Sequence, residues 1–379
     1  MDLALSPEQH AVRELAARFA DRELLPHAAE WDRRESIDPG IVKQLGDLGF
    51  LGLTIPAAEG GSEGDHLAYC LVLEELGRGD SAVRGVLSVS LGLVAKTISG
   101  YGSAAQRSEW LPRLCAGDAL GCFTLTEPGT GSDAGSLTTR AERAGTDWLI
   151  SGEKTFITNG TWADVALVFA RTGERVSAFL VPTDAPGFAR HEIKGKLGLR
   201  GQATAALSFD AVRVPSTALV GAEGAGLRIA MSALAKGRMS VAAGCVGIAQ
   251  GCLDAAVSYA GSRTQFGKPV AGHQLVQQLL SAIAVDTAAA RLLTWRVADL
   301  IDRGEPFATE SSMAKLFASE AAVRCANDAL QVFGGYGYID EYPVGKYLRD
   351  ARVMTLYEGT TQIQQLIIGR ALTGINAIS

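Results

Sequence analysis

The chain is poor in the residues that bind metals and form cross-links. Its 379 residues include five histidines and six cysteines, and none of them stands at a His-x-x-x-His or Cys-x-x-Cys spacing. We therefore expect no catalytic metal. The cysteines are scattered, so we expect reduced thiols that are mostly buried, as is usual in a cytoplasmic protein.

Other absences limit the partners of the protein. No run of five or six basic residues occurs, and the formal net charge is −6, so nucleic acid is not an expected partner. Residues 1–6 lack the positively charged start of a signal peptide. No uninterrupted apolar stretch is long enough to span a bilayer, so we expect no membrane insertion.

The apolar residues that are present change their spacing twice along the chain. In the first third they recur at helical spacing, and Ser6 with Gln9 predicts a capping box at the start of the first helix. From residue 121 short alternating runs between turns predict β-strands. These runs lie at 148–150, 165–169, 177–181 and 206–209. Their short, even spacing predicts a small barrel or sandwich.

From residue 226 the chain returns to helical patterning. Three long segments rich in Ala, Leu and Val lie at 227–262, 274–303 and 309–332. Long helices joined by short links predict a four-helix bundle. We therefore predict an α+β chain of three domains. They are an N-terminal α-helical domain (1–120), a middle β-barrel or sandwich domain (121–225) and a C-terminal four-helix bundle domain (226–379).

Two segments of the predicted β region suit a cofactor, although each has an ordinary structural explanation. Residues 124–133 (TLTEPGTGSD) are small and Gly-rich, so their backbone N–H groups can approach a ligand. The alternative is a polar turn between domains. In residues 154–160 (KTFITNG) a strand places Phe156 and Thr158 on one face, where they could hold a planar ring. The alternative is a half-buried strand.

Two further segments end long helices. Arg263, in residues 262–269 (SRTQFGKP), is a candidate for a phosphate contact, or a solvated arginine that the helix dipole favours. The paired glycines of residues 331–338 (QVFGGYGY) allow close approach of a ligand to the backbone, or simply stop a helix.

The last segment, residues 357–364 (YEGTTQIQ), precedes the final predicted helix. Thr361 and Gln364 predict a capping box, so Glu358 is expected just outside the helix start. Its carboxylate there is either a partner of the helix dipole or a base at the edge of an apolar pocket. In the second case desolvation would raise its pKa above the ordinary ~4.3.

Taken together, in this order and at these separations, the five segments resemble the acyl-CoA dehydrogenase family over essentially the whole chain. The resemblance implies FAD bound between the middle domain and the bundle. It also implies a homo-oligomer, commonly a dimer of dimers (a homotetramer), because the family shares FAD sites between subunits. The positions that match the family's FAD contacts are Phe123, Leu125, Thr126, Gly131, Ser132, Phe156, Thr158, Arg263, Phe266, Gln274, Gln331, Gly334, Gly335, Thr360 and Gln362.

The resemblance also implies a mechanism. Glu358 would remove the α-proton of an acyl thioester while the β-hydrogen leaves as hydride to flavin N5. The thioester carbonyl would accept hydrogen bonds from the Glu358 backbone N–H and from a ribityl hydroxyl of FAD. Electrons would then pass to an electron-transfer flavoprotein. The residues expected at the substrate are Arg84, Ser132, Arg238, Tyr357 and Gly359.

Two departures from the family pattern concern the substrate. Many members carry Asp-x-x-Arg where this chain has Ala235-Lys-Gly-Arg238, so the arginine is present without the aspartate. Arg84 is similar to an arginine that pairs with the distal carboxylate in glutaryl-CoA dehydrogenases. Dehydrogenases of polyketide extender units on carrier proteins share it. The alternative is an ion pair with Asp80, four residues earlier on the same helix.

The expected function is therefore αβ-desaturation of a short-chain acyl-CoA, with a carboxylated or branched chain among the options. We expect a cytoplasmic enzyme of fatty acid or amino acid catabolism. The alternatives are a dehydrogenase of a thioester bound to a carrier protein, in secondary metabolism, and an acyl-CoA oxidase. A scaffold that has lost its cofactor is disfavoured by Glu358, Arg263 and Thr126.

Overall fold

The computed structural model describes residues 4–377. Residues 378 and 379 lie outside it, as do residues 1–3, which belong to the segment that lacks a signal-peptide pattern. The first part of the chain is helical. The capping box of Ser6 and Gln9 at the start of the first helix is confirmed. The helices are α1 (Pro7–Phe19), α2 (Ala28–Arg34), α3 (Ile41–Asp47), α4 (His66–Gly79), α5 (Ser81–Leu87), α6 (Lys96–Tyr101) and α7 (Ala104–Ala116). Between α5 and α6 the backbone forms a π-helical segment, Ser88–Ala95, which the sequence pattern did not indicate.

The middle of the chain forms one eight-stranded sheet, so the predicted β region is confirmed. The strands are β1 (Gly121–Thr124), β2 (Arg140–Ala144), β3 (Asp147–Thr158), β4 (Val165–Thr172), β5 (Arg175–Pro182), β6 (Phe188–Glu192), β7 (Thr204–Val214) and β8 (Leu219–Val220). The sheet order is β6-β7-β3-β2-β4-β5-β8, and β1 pairs with β4 in parallel. All the predicted runs lie within these strands.

The last part of the chain is again helical. Its elements are α8 (Gly226–Ser262), α9 (Gln274–Asp302), α10 (Ala308–Phe333), α11 (Val344–Met354) and α12 (Thr361–Thr373). A short hairpin of β9 (Thr264–Gln265) and β10 (Lys268–Pro269) joins α8 to α9. The three long predicted helices are confirmed to within two residues at each end.

Strand β4 contributes to two hydrophobic cores. Its residues 165, 167 and 169 pack in the core that the first and last groups of helices share. Its residues 166, 168 and 170 pack in a second core inside the sheet. Successive side chains of a strand point to opposite faces, so a strand buried on both faces reads as an unbroken apolar run. Strand β4 therefore helps to join the helical parts to the sheet, and β5 does the same, with residues 176, 178 and 180 in the first core and 179 and 181 in the second.

Two helical stretches are longer and more apolar than the absence of unbroken apolar runs predicts. Ser81–Tyr101 and Gly226–Ser262 both reach the length and mean hydropathy of a membrane span. However, 89% and 72% of their most apolar windows are buried inside the protein. Core helices have this character, so these stretches are weak support for a membrane span. All six cysteines are free and buried, as expected.

A buried ion network ties α5 to α11. The Lys346 ammonium lies 3.0 Å from Asp80 and 2.6 Å from Asp350. Asp80 also accepts from the backbone N–H of Ala82, at the start of α5, and Asp350 accepts from the N–H of Leu199. Burial raises the pKa of Asp350. Burial also disfavours the Lys346 ammonium, but the two carboxylates outweigh it, and the pKa of Lys346 is raised.

This network predicts a large loss of stability in Lys346→Met. The substitution leaves two buried carboxylates without their cation, which costs about 3–5 kcal/mol in comparable cases. The measurement is the free energy of unfolding from urea titration. Lys43 provides a matched control because it also pairs with two carboxylates, those of Asp47 and Asp118, but on the surface. Lys43→Met should lose far less stability, because water and salt screen an exposed ion pair. Equal losses in the two variants would contradict the assignment.

Candidate active site

Glu358 lies in the turn between α11 and α12 and points into the protein. Its Oε2 atom is buried and has no hydrogen-bond partner among residues 4–377. A Cβ atom added at Gly237 of α8 would lie 2.2 Å from this oxygen, so glycine there leaves the space that the carboxylate occupies. Glu358 and Gly359 have φ of +52° and +91°. This backbone is unfavourable for a residue with a side chain, so its surroundings must hold it.

Three cations surround this one carboxylate. Burial raises the pKa of Glu358 to about 7, while the charges of Arg84, Arg238 and Lys315 oppose the rise. The three side chains are 1%, 8% and 0% exposed. In the part of the chain that the structure describes, none of them has a carboxylate within 4.0 Å. The site therefore carries excess positive charge even when Glu358 is ionised.

Arg84 is held by neutral groups, so the ion pair considered with Asp80 is wrong. Its guanidinium donates to Ser88 Oγ at 2.9 Å and to the Tyr357 hydroxyl at 2.6 Å. Asp80 instead caps α5 and pairs with Lys346. The Arg84 side chain runs toward α8, where a Cβ at Gly244 would lie 2.6 Å from its Nε. Tertiary contacts therefore override the helical i, i+4 spacing.

The capping box predicted at Thr361 and Gln364 is also wrong. The N-cap is Thr360, whose hydroxyl accepts from the Ile363 N–H at 3.2 Å. A capping box needs Glu or Gln three residues after the N-cap, and Gln364 is four residues after Thr360. Its side-chain amide donates instead to the carbonyls of Glu358 and Gly359, at 3.1 and 2.9 Å. The residue therefore secures the turn that carries Glu358.

A second group of predicted residues surrounds the ends of β1 and β3. The Thr155 N–H donates to the Thr126 carbonyl at 2.9 Å, which joins the two predicted segments. Phe156 is 69% exposed at φ +57°, while Ile157 is buried and Thr158 is half-buried. This exposure fits the predicted shared face of Phe156 and Thr158. The β-bulge between Lys154 and Ile157 was not predicted.

A buried ion pair that sequence reasoning missed holds this region. Lys154 lies 2.9 Å from Glu127 and donates to the Leu125 carbonyl at 3.1 Å. Glu127 also accepts from the backbone N–H groups of Thr138 and Thr139. Burial opposes ionisation, but the bonds from Thr139 and Lys154 outweigh it and lower the pKa of Glu127 to about 2. Glu127 and Lys154 lie in the two segments predicted to suit a cofactor. Periodicity could not predict their pairing, because they are too far apart in the sequence.

The turn after Glu127 carries the next predicted pair. Gly131 and Ser132 are exposed there. A Cβ at Gly131 would meet no atom within 4 Å, so the backbone is open to a ligand. Phe123 is half-buried and stacks at a tilt against Phe169, with ring centroids 4.9 Å apart.

A third group lies at one end of the bundle. Arg263, Gly334 and Gly335 line a cavity of about 550 Å³, with the Arg263 guanidinium 5.3 Å from the Tyr336 ring. Cβ atoms at the two glycines would meet nothing within 4 Å. Phe266 is 94% exposed, at the tip of the β9–β10 hairpin. The other predicted residues here, which are exposed, are Gln274 and Gln331.

The second and third groups are separate within one chain. No hydrogen bond or ring contact joins them in residues 4–377. Thr360 and Gln362 lie apart from both, at the start of α12, where the Thr360 hydroxyl serves as the cap. The chemistry of each group nevertheless fits part of a dinucleotide cofactor. An exposed ring beside a hydroxyl suits a planar heterocycle, and a guanidinium in a cavity that two bare glycines also line suits a diphosphate.

Comparison with known proteins agrees with this geometry. Family models match the N-terminal, middle and C-terminal domains of acyl-CoA dehydrogenases, at residues 6–118, 122–212 and 224–373. The mitochondrial short-chain specific acyl-CoA dehydrogenase of Mus musculus is 43% identical over 96% of this chain and 89% of its own length.

Solved structures agree too. Butyryl-CoA dehydrogenase from Megasphaera elsdenii is 38% identical with a TM-score of 0.96, over 98% of this chain and 100% of that one. A glutaryl-CoA dehydrogenase from Mycobacterium smegmatis in complex with FADH2 is 36% identical with a TM-score of 0.96, over 99% and 97%. The chain therefore belongs to the acyl-CoA dehydrogenase family, whose members are FAD-dependent oxidoreductases that act on the CH–CH bond of acyl thioesters.

Proposed function

We propose that this chain catalyses the αβ-desaturation of a short-chain acyl thioester, with Glu358 as the base that removes the α-proton. The observation that carries the proposal is the state of its carboxylate. Oε2 is buried without a hydrogen-bond partner in residues 4–377, and burial raises the pKa of Glu358 to about 7. A general base must be free to accept the proton and ionised near the working pH.

The surroundings of Glu358 support the rest of the chemistry. Its backbone N–H has no acceptor in the described part of the chain and is free to donate to the thioester carbonyl. Negative charge develops on that oxygen as the α-proton leaves, and preorganised donors and cations stabilise it. The charges of Arg84, Arg238 and Lys315, which act on the Glu358 carboxylate, would also favour negative charge on that oxygen. When bound, FAD would supply the acceptor for the β-hydrogen of the acyl group, which leaves as a hydride.

Two groups of residues would hold FAD. The first would contact the flavin ring and the incoming thioester and consists of Phe123, Leu125, Thr126, Gly131, Ser132, Phe156 and Thr158. The second would reach the FAD of a neighbouring subunit and consists of Arg263, Phe266, Gln274, Gln331, Gly334 and Gly335. The separation of the two groups within one chain supports a site shared between subunits. Thr360 and Gln362 would add contacts from the start of α12.

An exposed apolar face supports a homo-oligomer. Leu275, Val285 and Leu292 of α9 are 75%, 67% and 45% exposed, and Val285 and Leu292 lie two turns apart on one face. Phe266 projects near the start of the same helix. Exposed apolar surface of this kind marks protein contacts. We infer that α9 packs against a second copy of the chain, in the dimer of dimers common in the family.

The remaining substrate contacts follow from the family pattern. Arg238, Tyr357, Gly359 and Ser132 would line the thioester path. We infer a cytoplasmic enzyme that passes electrons to an electron-transfer flavoprotein. Oxygen consumption at turnover would instead indicate an oxidase. The relatives named for short-chain and butyryl substrates support a short acyl group.

A second candidate is a carboxylated acyl group. Arg84 is buried without a carboxylate partner among the described residues, and its Nε has no hydrogen-bond partner. A buried guanidinium is costly unless a negative charge compensates it. A distal carboxylate on the acyl chain would supply that charge. The glutaryl-CoA dehydrogenase among the similar structures supports this candidate.

If Glu358 is the base, the Glu358→Gln variant should retain FAD. Substrate should reduce this FAD at least ~100-fold more slowly than it reduces the FAD of the unchanged enzyme. The amide keeps the shape of the side chain but cannot accept the proton. The measurement is the anaerobic loss of visible flavin absorbance. The control is Glu305→Gln, which changes an exposed carboxylate in the link between α9 and α10. Rapid bleaching of the Glu358→Gln flavin would refute the assignment.

The raised pKa of Glu358 predicts the pH dependence. Below about pH 7 the carboxylate holds a proton and cannot act, so the rate of flavin reduction should fall about tenfold per pH unit. Above that pH the carboxylate is ionised and the rate should level. Single-turnover rates across this range provide the measurement. A rate that stayed constant from neutral to acid pH would exclude a base of this pKa.

The short-chain assignment predicts that butyryl-CoA bleaches the flavin. The measurement adds butyryl-, isobutyryl-, isovaleryl- and glutaryl-CoA in turn to the anaerobic protein. Bleaching by glutaryl-CoA alone, lost in Arg84→Ala, would establish the carboxylated substrate instead. Bleaching by none of them would indicate a thioester on a carrier protein.

A further inference from the structure

Lys315 reaches from the middle of α10 to the turn that carries Glu358. The residue is fully buried, and its ammonium donates to the Gly359 carbonyl at 2.8 Å. No carboxylate lies within 4.0 Å of it in residues 4–377. Burial lowers the pKa of Lys315 to about 8. Burying an ammonium group costs free energy. We therefore expect Lys315 to have a role that an apolar side chain of the same length would not fill.

The contact between Lys315 and the Gly359 carbonyl stabilises a turn whose backbone conformation is unfavourable by itself. Glu358 stands at a positive φ, and so does Gly359. The Gly359 carbonyl accepts from Lys315 on one side and from the Gln364 amide on the other. The turn is therefore held from two helices, α10 and α12. Held in this way, it points the Glu358 carboxylate at Gly237 and leaves its N–H unpaired.

The charge of Lys315 acts on the same carboxylate. Glu358 feels Lys315 together with Arg84 of α5 and Arg238 of α8. Lys315 in turn faces Cys245 and Arg238 of α8 and Glu320 on its own helix. Among these neighbours only the cations favour the ionised form of Glu358, so loss of one of them leaves the carboxylate easier to protonate.

We propose that Lys315 is a positioning residue for the dehydrogenation, which sets the orientation of the Glu358 turn and helps to keep its carboxylate ionised. This inference rests on the proposed role of Glu358 as the base. Lys315 transfers no proton in the reaction. It acts through the Gly359 carbonyl and through its charge.

The test uses the FAD-loaded enzyme, butyryl-CoA as the probe and flavin bleaching over a range of pH. Lys315→Met keeps the length of the side chain but loses both the donor and the charge. We expect kcat to fall by about 100-fold, with a smaller change in KM, because the base and the carbonyl donor are misplaced. The acid limb of the pH profile should move to higher pH. In Lys315→Arg, which keeps the charge, the limb should stay in place.

A matched control lies one turn along the same helix. Ser319 is also fully buried but bonds only to its own helix, at the Leu316 carbonyl, so Ser319→Ala should change neither kcat nor the acid limb. Unchanged kcat and acid limb in Lys315→Met would overturn the proposal. If that variant does not fold, Lys315→Gln is measured instead and judged by the same two quantities.

The inference and the function it rests on fail in different ways. Loss of activity in Glu358→Gln together with a normal Lys315→Met enzyme overturns only the role of Lys315. Full activity in Glu358→Gln overturns the proposed base and the inference with it. A fall in kcat without any shift of the acid limb overturns the electrostatic part and leaves the orientation of the turn.

Discussion

The constraint on which the site depends is the burial of one carboxylate among three cations. Desolvation pushes Glu358 toward its neutral form, and the charges of Arg84, Arg238 and Lys315 push it back, which leaves its pKa near neutrality. Three different helices deliver these cations, α5, α8 and α10. The bundle and the first helical region must therefore pack together before the site exists.

Buried lysines bridge separate segments in three parts of the chain. Lys154 holds the segment after β1, Lys315 holds the turn before α12, and Lys346 joins α5 to α11. Each joins segments that are distant in sequence. An ammonium offers three donors on a flexible stem, so it can reach carbonyls and carboxylates that a short side chain cannot.

Much of the fold could be predicted from the sequence, because helices and strands leave a period in the apolar residues. Glu358 could be recognised as well, because its segment stands in a known order of motifs. The partners of Arg84 could not be predicted, since Ser88 and Tyr357 are chosen by tertiary packing rather than by spacing. The cap at Thr360 was misplaced by one residue because Thr361 satisfies the same pattern. The division at residues 120 and 225 stays a prediction.

Strand β4 contributes to two hydrophobic cores, which the three-part pattern of the sequence does not indicate. One of its faces lines the core shared by the helices and the other lines the core of the sheet. An excised middle region would expose a strip of apolar side chains to water, and the remaining helices would lose part of their hydrophobic core. We therefore expect the middle region to be unstable when it is separated from the helices.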